Sequence, residues 1–249
     1  MHVLITGAAG YIGRQLSAGL EGEHQLRLAD LRPSDDPRAV TLDVTDLAQA
    51  ERAMQGIDAV VHLAIASGHE GDFENDAFNR QRYDVNVRGT FNLLEAARRV
   101  GVKRFVQTSS LTVVWGYPPP HWVAGDAPAR PVGTYALTKQ LAEVQCEYFA
   151  RTHGLSVVCL RIAKPIDLAD PTWRQRMLRP QWIAMPELIE AYRLALIAPQ
   201  IGFEIVTLVG ESSRRRWDLS RAQAVLGYQP RVRLDELGYT IGDETAPLT

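Results

Sequence analysis

Cysteine is nearly absent: the 249 residues contain two, Cys146 and Cys159. Two thiols so spaced make neither a disulfide scaffold nor a C-x-x-C metal or redox site, and they point to a reducing cytoplasm. No apolar run reaches the ~18–20 residues that cross a bilayer, and no basic stretch followed by a long apolar one opens the chain. No membrane partner is expected. Positive charge is not in excess, with 27 Lys+Arg against 29 Asp+Glu and a formal net charge of -2. A protein that lives on nucleic-acid phosphates carries a clear excess, so no nucleic-acid partner is expected either. The six histidines, His2, His24, His62, His69, His121 and His153, show no H-x-x-x-H spacing, so no metal is expected. What remains is an ordinary globular composition, 46% hydrophobic and 22% charged, with chain for one large core and at most a small appendage.

Short β-prone runs recur at Val3–Thr6, Gln25–Ala29, Ala39–Leu42, Ala59–Leu63, Arg104–Thr108, Ser156–Ile162 and Ile205–Val209. Between them lie helical patterns, at Tyr11–Leu20, Asp46–Gln55, Tyr83–Val100 and Tyr135–Thr152, with further candidates at Pro186–Ala198 and Asp218–Leu226. Strands alternating with helices predict an α/β fold, a doubly wound parallel sheet with helices on both faces. Two segments break the alternation. Trp115–Pro131 holds five prolines and two glycines in seventeen residues, a loop whose Trp115, Tyr117 and Trp122 suit it to covering a pocket. The stretch Lys164–Pro186 is also proline-rich and keeps no lasting period. The run Arg214-Arg215-Arg216 reads as a solvated turn, with a phosphate patch as the alternative.

Directly after the first strand comes Gly7-Ala8-Ala9-Gly10-Tyr11-Ile12-Gly13, at the mouth of a helix. Glycines there permit close backbone approach, and the free N–H groups of the helix start favour a pyrophosphate. Asp30 ends the second strand, 17 residues after Gly13, where an acid can accept hydrogen bonds from the adenosine ribose and repel a 2′-phosphate. NAD is therefore favoured over NADP, with Arg32 as the opposing signal.

Tyr135 and Lys139, four apart, share one helix face. A phenol is a poor base at neutral pH, and an ammonium beside it favours the phenolate. Thr108-Ser109-Ser110 ends the strand Arg104–Thr108, so it stands at the carboxyl edge where such sheets bind ligands.

Taken in order, Thr6 to Gly13, Asp30, Leu42-Asp43-Val44, His62-Leu63-Ala64, Asp84-Val85-Asn86-Val87-Arg88-Gly89-Thr90, Thr108-Ser109-Ser110 and Tyr135-Ala136-Leu137-Thr138-Lys139 resemble the extended short-chain dehydrogenase/reductases. That resemblance implies a Rossmann-like domain over 1–163 and a small C-terminal substrate-binding region, interleaved with the main fold, over 164–249. It implies Tyr135 as general acid/base, with Lys139 lowering its pKa and holding the nicotinamide ribose. Ser110 would bond the reacting oxygen. Asp43 and Val44 would meet the adenine, and Leu63 and Ala64 would line the cofactor's path, as would Tyr11, Ile12, Leu31, Thr108 and Ile162. Asn86 would support Lys139 from behind through water or backbone contacts. The two long helices would pair a homodimer.

Only 86 residues follow Ala163, little to enclose a nucleotide sugar, and the chain is most similar to the compact uronate dehydrogenases. Those oxidise the anomeric carbon of galacturonate or glucuronate with NAD to an aldarolactone. Leu160-Arg161-Ile162, Arg176-Met177-Leu178, Trp182 and Leu188-Ile189-Glu190-Ala191 carry this likeness. Departures fall at Leu111-Thr112, where that group has Asn-His, and at Ala163-Lys164-Pro165, where it has small polar residues. An arginine fork suits a uronate carboxylate, with Arg176 the first candidate and Arg174 the second; Lys164 either binds an acidic group or is simply exposed. An epimerase or dehydratase that retains NAD, and a non-catalytic NAD-binding protein, remain the alternatives.

Overall fold

In the computed structural model, which describes residues 1–68, 71–118, 121–212 and 216–243, alternate residues of each central strand feed two different cores. Val3 and Ile5 of β1 (His2–Thr6) pack on one face of a sheet and Leu4 on the other. In β4 (Ala59–His62), β5 (Arg104–Ser110) and β6 (Ser156–Ile162), Val61, Val106 and Val158 join the first core, while Val60, Phe105 and Val157 join the second. Strands apolar at every position are those of a parallel sheet covered on both faces.

The sheet has seven parallel strands in the order β3-β2-β1-β4-β5-β6-β9, where β2 is Gln25–Asp30, β3 Ala39–Thr41 and β9 Phe203–Leu208. All seven stand where the apolar runs predict them. On one face lie α1 (Tyr11–Gly19) and α6 (Met185–Ile197); on the other lie α2 (Leu47–Ala53), α4 (Gly89–Val100) and α5 (Thr134–His153). The strand order reverses between β1 and β4, which opens the crevice where doubly wound sheets take ligands.

Several boundaries differ from expectation for local reasons. The helix predicted from Tyr83 begins earlier, as α3 (Asp76–Arg82), because Asn75 caps it by accepting from the Phe78 amide at 3.0 Å. Tyr83–Arg88 is then wound as a π-helix rather than an α-helix, a widening frequent at functional sites. Strand β5 runs two residues beyond Thr108 and takes Ser109 and Ser110 with it. The final helix, α7 (Ser220–Leu226), starts after Asp218, which accepts from the Ser220 amide. The aperiodic stretch after Ala163 contains a two-residue parallel pair, β7 (Pro165–Ile166) and β8 (Ile183–Ala184).

Beyond residue 163 the chain both returns to the main sheet as β9 and builds a third apolar cluster from Ile166, Trp173, Leu178, Ala184, Leu234 and Tyr239. Arg214 and Arg215 of the basic run, His69, Pro119 and Pro120 of the proline-rich loop, and residues 244–249 lie outside the described residues. Among the described residues no helix is long and apolar enough to cross a membrane.

Candidate active site

Gly7 adopts φ +71, and a Cβ there would lie 2.7 Å from the Ala64 nitrogen; at Gly13 it would lie 2.3 Å from the Gly7 oxygen. The loop can therefore fold tightly on itself and on the end of β4 only with glycine at both positions. No side chain caps α1, so its first amides face a groove of about 760 Å³. Gly7, Gly10, Tyr11, Ile12, Gly13, Asp30, Leu31, Asp43, Val44, Leu63, Ala64, Thr108, Tyr135, Lys139 and Ile162, all candidates from the sequence, line it.

Asp30 sits at one end, accepting from the Ala9 amide at 2.9 Å and from the Arg32 guanidinium at 3.2 Å. That pairing turns Arg32 toward the acid. Asn86 does not line the groove. It lies buried behind the wall, accepts from the Ala66 amide at 2.8 Å and donates to Thr138 Oγ1 at 3.1 Å. Its bonds thus support the groove through Ala66 and Thr138, which replaces the expected support of Lys139.

At the other end of the groove, Lys139 is buried and donates to the Thr108 carbonyl at 2.8 Å. Its Nζ stands 5.9 Å from the centroid of the Tyr135 ring, and Ser110 lines the same cavity as the Tyr135 phenol. The three residues are brought together as the sequence predicts.

Their electrostatics are not. Burial pushes Lys139 down to about 8, against the opposing charge of Glu143. Burial also raises the Tyr135 phenol, against the Ser110 hydroxyl and the charge of Arg82. By the pH at which this phenol titrates, the ammonium has already lost its proton, so the expected lowering of Tyr135 by Lys139 is absent in this arrangement. At neutral pH the pair is an ammonium beside a neutral phenol.

Glu143, one helical turn beyond Lys139 and missed in the sequence, completes this face of α5. Its carboxylate takes two bonds from Arg161, at 2.9 and 2.8 Å, and one from Ser109 at 2.6 Å. The i+4 spacing from Lys139 was the available signal. On β4, His62 is buried between Thr6 Oγ1 and Thr90 Oγ1 at 2.8 and 3.1 Å. Burial and the Lys139 charge push it down to about 3, so it is a neutral strut.

A second cavity, of about 530 Å³, opens beside the groove. Ile12, Tyr135, Ile162, Lys164 and Pro165 line both, so the phenol stands where the two meet. The second cavity is completed by Ser110, Leu111, Thr112, Trp115, Ala163, Met177, Leu178, Arg179, Gln181, Trp182, Gly242 and Asp243. The cations that line it are Lys164 and Arg179; the candidates Arg176 and Arg174 are not among its lining residues. Arg174 instead donates to the Leu237 carbonyl at 2.9 Å and stacks on Tyr239. Arg176 stacks on Trp173. The backbone around them pairs with the chain's end, Leu178 donating to the Thr240 carbonyl at 2.8 Å, and that pairing turns Arg179 inward. Among the described residues no group of three His, Cys, Asp or Glu is placed to hold a metal ion.

Against known protein families, residues 3–184 match the NAD dependent epimerase/dehydratase family. The chain belongs to that family. It is an NAD-dependent enzyme of the extended short-chain dehydrogenase/reductase type. Among individual proteins it is 28% identical to a uronate dehydrogenase of Pseudomonas putida, over 99% of this chain and 90% of the other. It is also 28% identical to an NAD-dependent glucose-6-phosphate dehydrogenase of Haloferax volcanii, over 92% of each chain. A crystal structure of a mutant uronate dehydrogenase from Agrobacterium tumefaciens complexed with NAD superposes with a TM-score of 0.80 at 27% identity, covering 95% of this chain and 86% of that one.

The groove fits the family's cofactor: an uncapped helix start over a loop with no room for a Cβ at Gly7 or Gly13, an acid at the far end of β2, and Tyr135 with Lys139 at the opposite end. The family's signature thus coincides with a site that has the right chemistry at both ends.

Proposed function

We propose that the enzyme is an NAD-dependent dehydrogenase of a sugar acid, a uronate such as galacturonate or glucuronate, which it oxidises at the anomeric carbon to an aldarolactone. The observation that carries this reading is the place of Tyr135 at the junction of the groove and a cavity whose wall carries two cations, Lys164 and Arg179, against one acid, Asp243. An acidic sugar fits such a wall, and its anomeric hydroxyl then faces the phenol. The named relatives that act on uronates support the same reading.

NAD, when bound, supplies the acceptor for the hydride that leaves the anomeric carbon. Tyr135, in its phenolate form, takes the hydroxyl proton as the carbonyl of the lactone forms. Ser110, fixed by bonds from the Thr112 amide and hydroxyl at 3.2 and 2.9 Å, orients the reacting oxygen. Lys139 holds its ammonium beside the phenol and stabilises the charge that develops there.

The test is absorbance at the reduced-nicotinamide band with NAD and a panel of galacturonate, glucuronate and neutral hexoses. NADH production that depends on the uronates is the expected result. NAD that co-purifies with the protein while no sugar yields net NADH replaces this reading with that of an epimerase or dehydratase.

We also assign a homodimer to this protein, because the outward faces of α4 and α5 leave Phe91, Val144 and Tyr148 exposed at 44%, 56% and 53%, a side-by-side apolar surface on neighbouring helices. Sedimentation equilibrium reads the mass directly; a monomer at micromolar concentration rejects the assignment. The buried free thiols Cys146 and Cys159 fit the reducing cytoplasm, the compartment we assign.

A further inference from the structure

Lys164 is held in place without being neutralised. It lies between the end of β6 and β7, and its own carbonyl accepts from the Ile183 amide at 3.2 Å. The pairing of Pro165 with Ile183 puts Lys164 opposite Trp182. Its Nζ stands 4.8 Å from the Trp182 ring centroid and 5.2 Å from that of Trp173. The two indoles meet edge to face at 84° with centroids 5.8 Å apart, so they form a corner around the ammonium. Cation–π contacts of this kind fix a lysine's position but leave its charge available.

Apart from its burial, the groups that bear on Lys164 are the Arg176 and Arg179 guanidiniums, and Asp243 is the acid among the residues lining the cavity. Burial and the two guanidiniums hold the ammonium below its ordinary range. A positive group kept among positive groups gains most when an anion arrives. Close by on the same cavity wall, Gln181 is 4% exposed and its Oε1 has no hydrogen-bond partner among the described residues. That carbonyl oxygen accepts from a hydroxyl donor. An oxyanion and a hydroxyl on one small molecule satisfy both groups.

The geometry points to Lys164 as the anchor for an oxyanion on the sugar, with the Trp173/Trp182 corner and Gln181 completing a subsite that selects for charge and not for the shape of the anion. This inference rests on the sugar-acid reading and sharpens it. A guanidinium matches a planar carboxylate through two parallel bonds, whereas an ammonium is a compact charge with three rotatable donors. A cavity of about 530 Å³ has room for a tetrahedral group as well as a planar one. Aldoses bearing a phosphate ester are therefore accepted alongside uronates.

The experiment titrates the Tyr135→Phe protein, saturated with NAD, with glucuronate, glucose 6-phosphate and glucose, and reads tryptophan fluorescence, since an anion at Lys164 lands between two indoles. Glucuronate and glucose 6-phosphate are expected to bind within about tenfold of each other. Lys164→Met in that background is expected to weaken both by roughly 10- to 100-fold and to leave glucose and NAD unchanged, with Lys164→Arg restoring binding because the charge returns. Unchanged anion binding in Lys164→Met overturns the anchor, and so does an equal loss for glucose, which marks a packing role. A loss of NAD affinity transfers the lysine to the cofactor. Phosphate binding more than about 100-fold weaker than carboxylate overturns the tolerance of shape. Binding that depends on Lys164 in a protein whose Tyr135 form reduces no NAD leaves the anchor standing and removes the dehydrogenase reading; turnover of uronates that ignores Lys164→Met does the opposite.

Discussion

Tyr135→Phe lowers kcat by roughly 10²- to 10⁴-fold, the range over which a positioned acid/base group acts, and leaves NAD affinity unchanged. The phenylalanine ring keeps the packing at the junction of the two cavities and removes only the hydroxyl. Stopped-flow measurement of the first turnover separates this loss from slow product release, and a variant within threefold of the parent would sink Tyr135 as the base. The pH dependence follows from the same geometry. Burial raises the phenol, so the fraction present as phenolate grows with pH, and oxidation is expected to speed up from neutral toward alkaline conditions. Lys139 sits at about 8 and is cationic at neutral pH, where it favours loss of the phenol's proton. Lys139→Met therefore lowers the rate at neutral pH, where the ammonium is present, and leaves the position of the alkaline limb unchanged, because there the amine has already lost its proton.

Gly13→Val removes cofactor binding by displacing the start of α1. Its Cβ would meet the Gly7 oxygen at 2.3 Å and the Ala8 backbone at 2.7 Å, atoms of the loop itself that have nowhere to move. Overpacking of this kind costs about 1–3 kcal/mol, and each 1.4 kcal/mol that falls on binding is about tenfold in NAD affinity. Gly10→Ala is the informative companion, since its Cβ meets a single atom at 3.0 Å; it should spare the fold and still weaken NAD by crowding the helix start. Calorimetric titration with NAD and thermal unfolding without it separate the two effects. If Gly13→Val binds NAD like the parent, the glycine loop is only a turn and the groove's assignment falls.

The seven strands and their flanking loops were readable because each is encoded locally. Successive residues of β1 and β6 are apolar because both faces of the sheet are covered, and that pattern lies within five to seven residues. The Tyr135/Lys139 pair was readable for the same reason, one helical turn apart on α5. Glu143 continues that spacing, yet its importance comes from Arg161 on β6 and Ser109 on β5, which are near it only in the folded chain. Asn86 lies buried behind the groove, and its partners, Ala66 and Thr138, are set by a π-helical turn that no residue pattern announces.

By itself, the sequence determined the doubly wound sheet, the glycine loop and the pairing of Tyr135 with Lys139 on one helix face, since glycine spacing, continuous apolar strand runs and i+4 pairing act over a few residues. Only the tertiary structure decided which cations line the cavity beside the groove. Residues 171–182 have no period, so the direction of each side chain is set by distant backbone bonds, Leu178 to Thr240 and Ile183 to Lys164. Those bonds turn Arg174 and Arg176 onto aromatic rings and Arg179 and Lys164 toward the cavity. The charge states at the centre were likewise decided by folding, because burial of Lys139 and Tyr135 outweighs the attraction that their spacing alone implies.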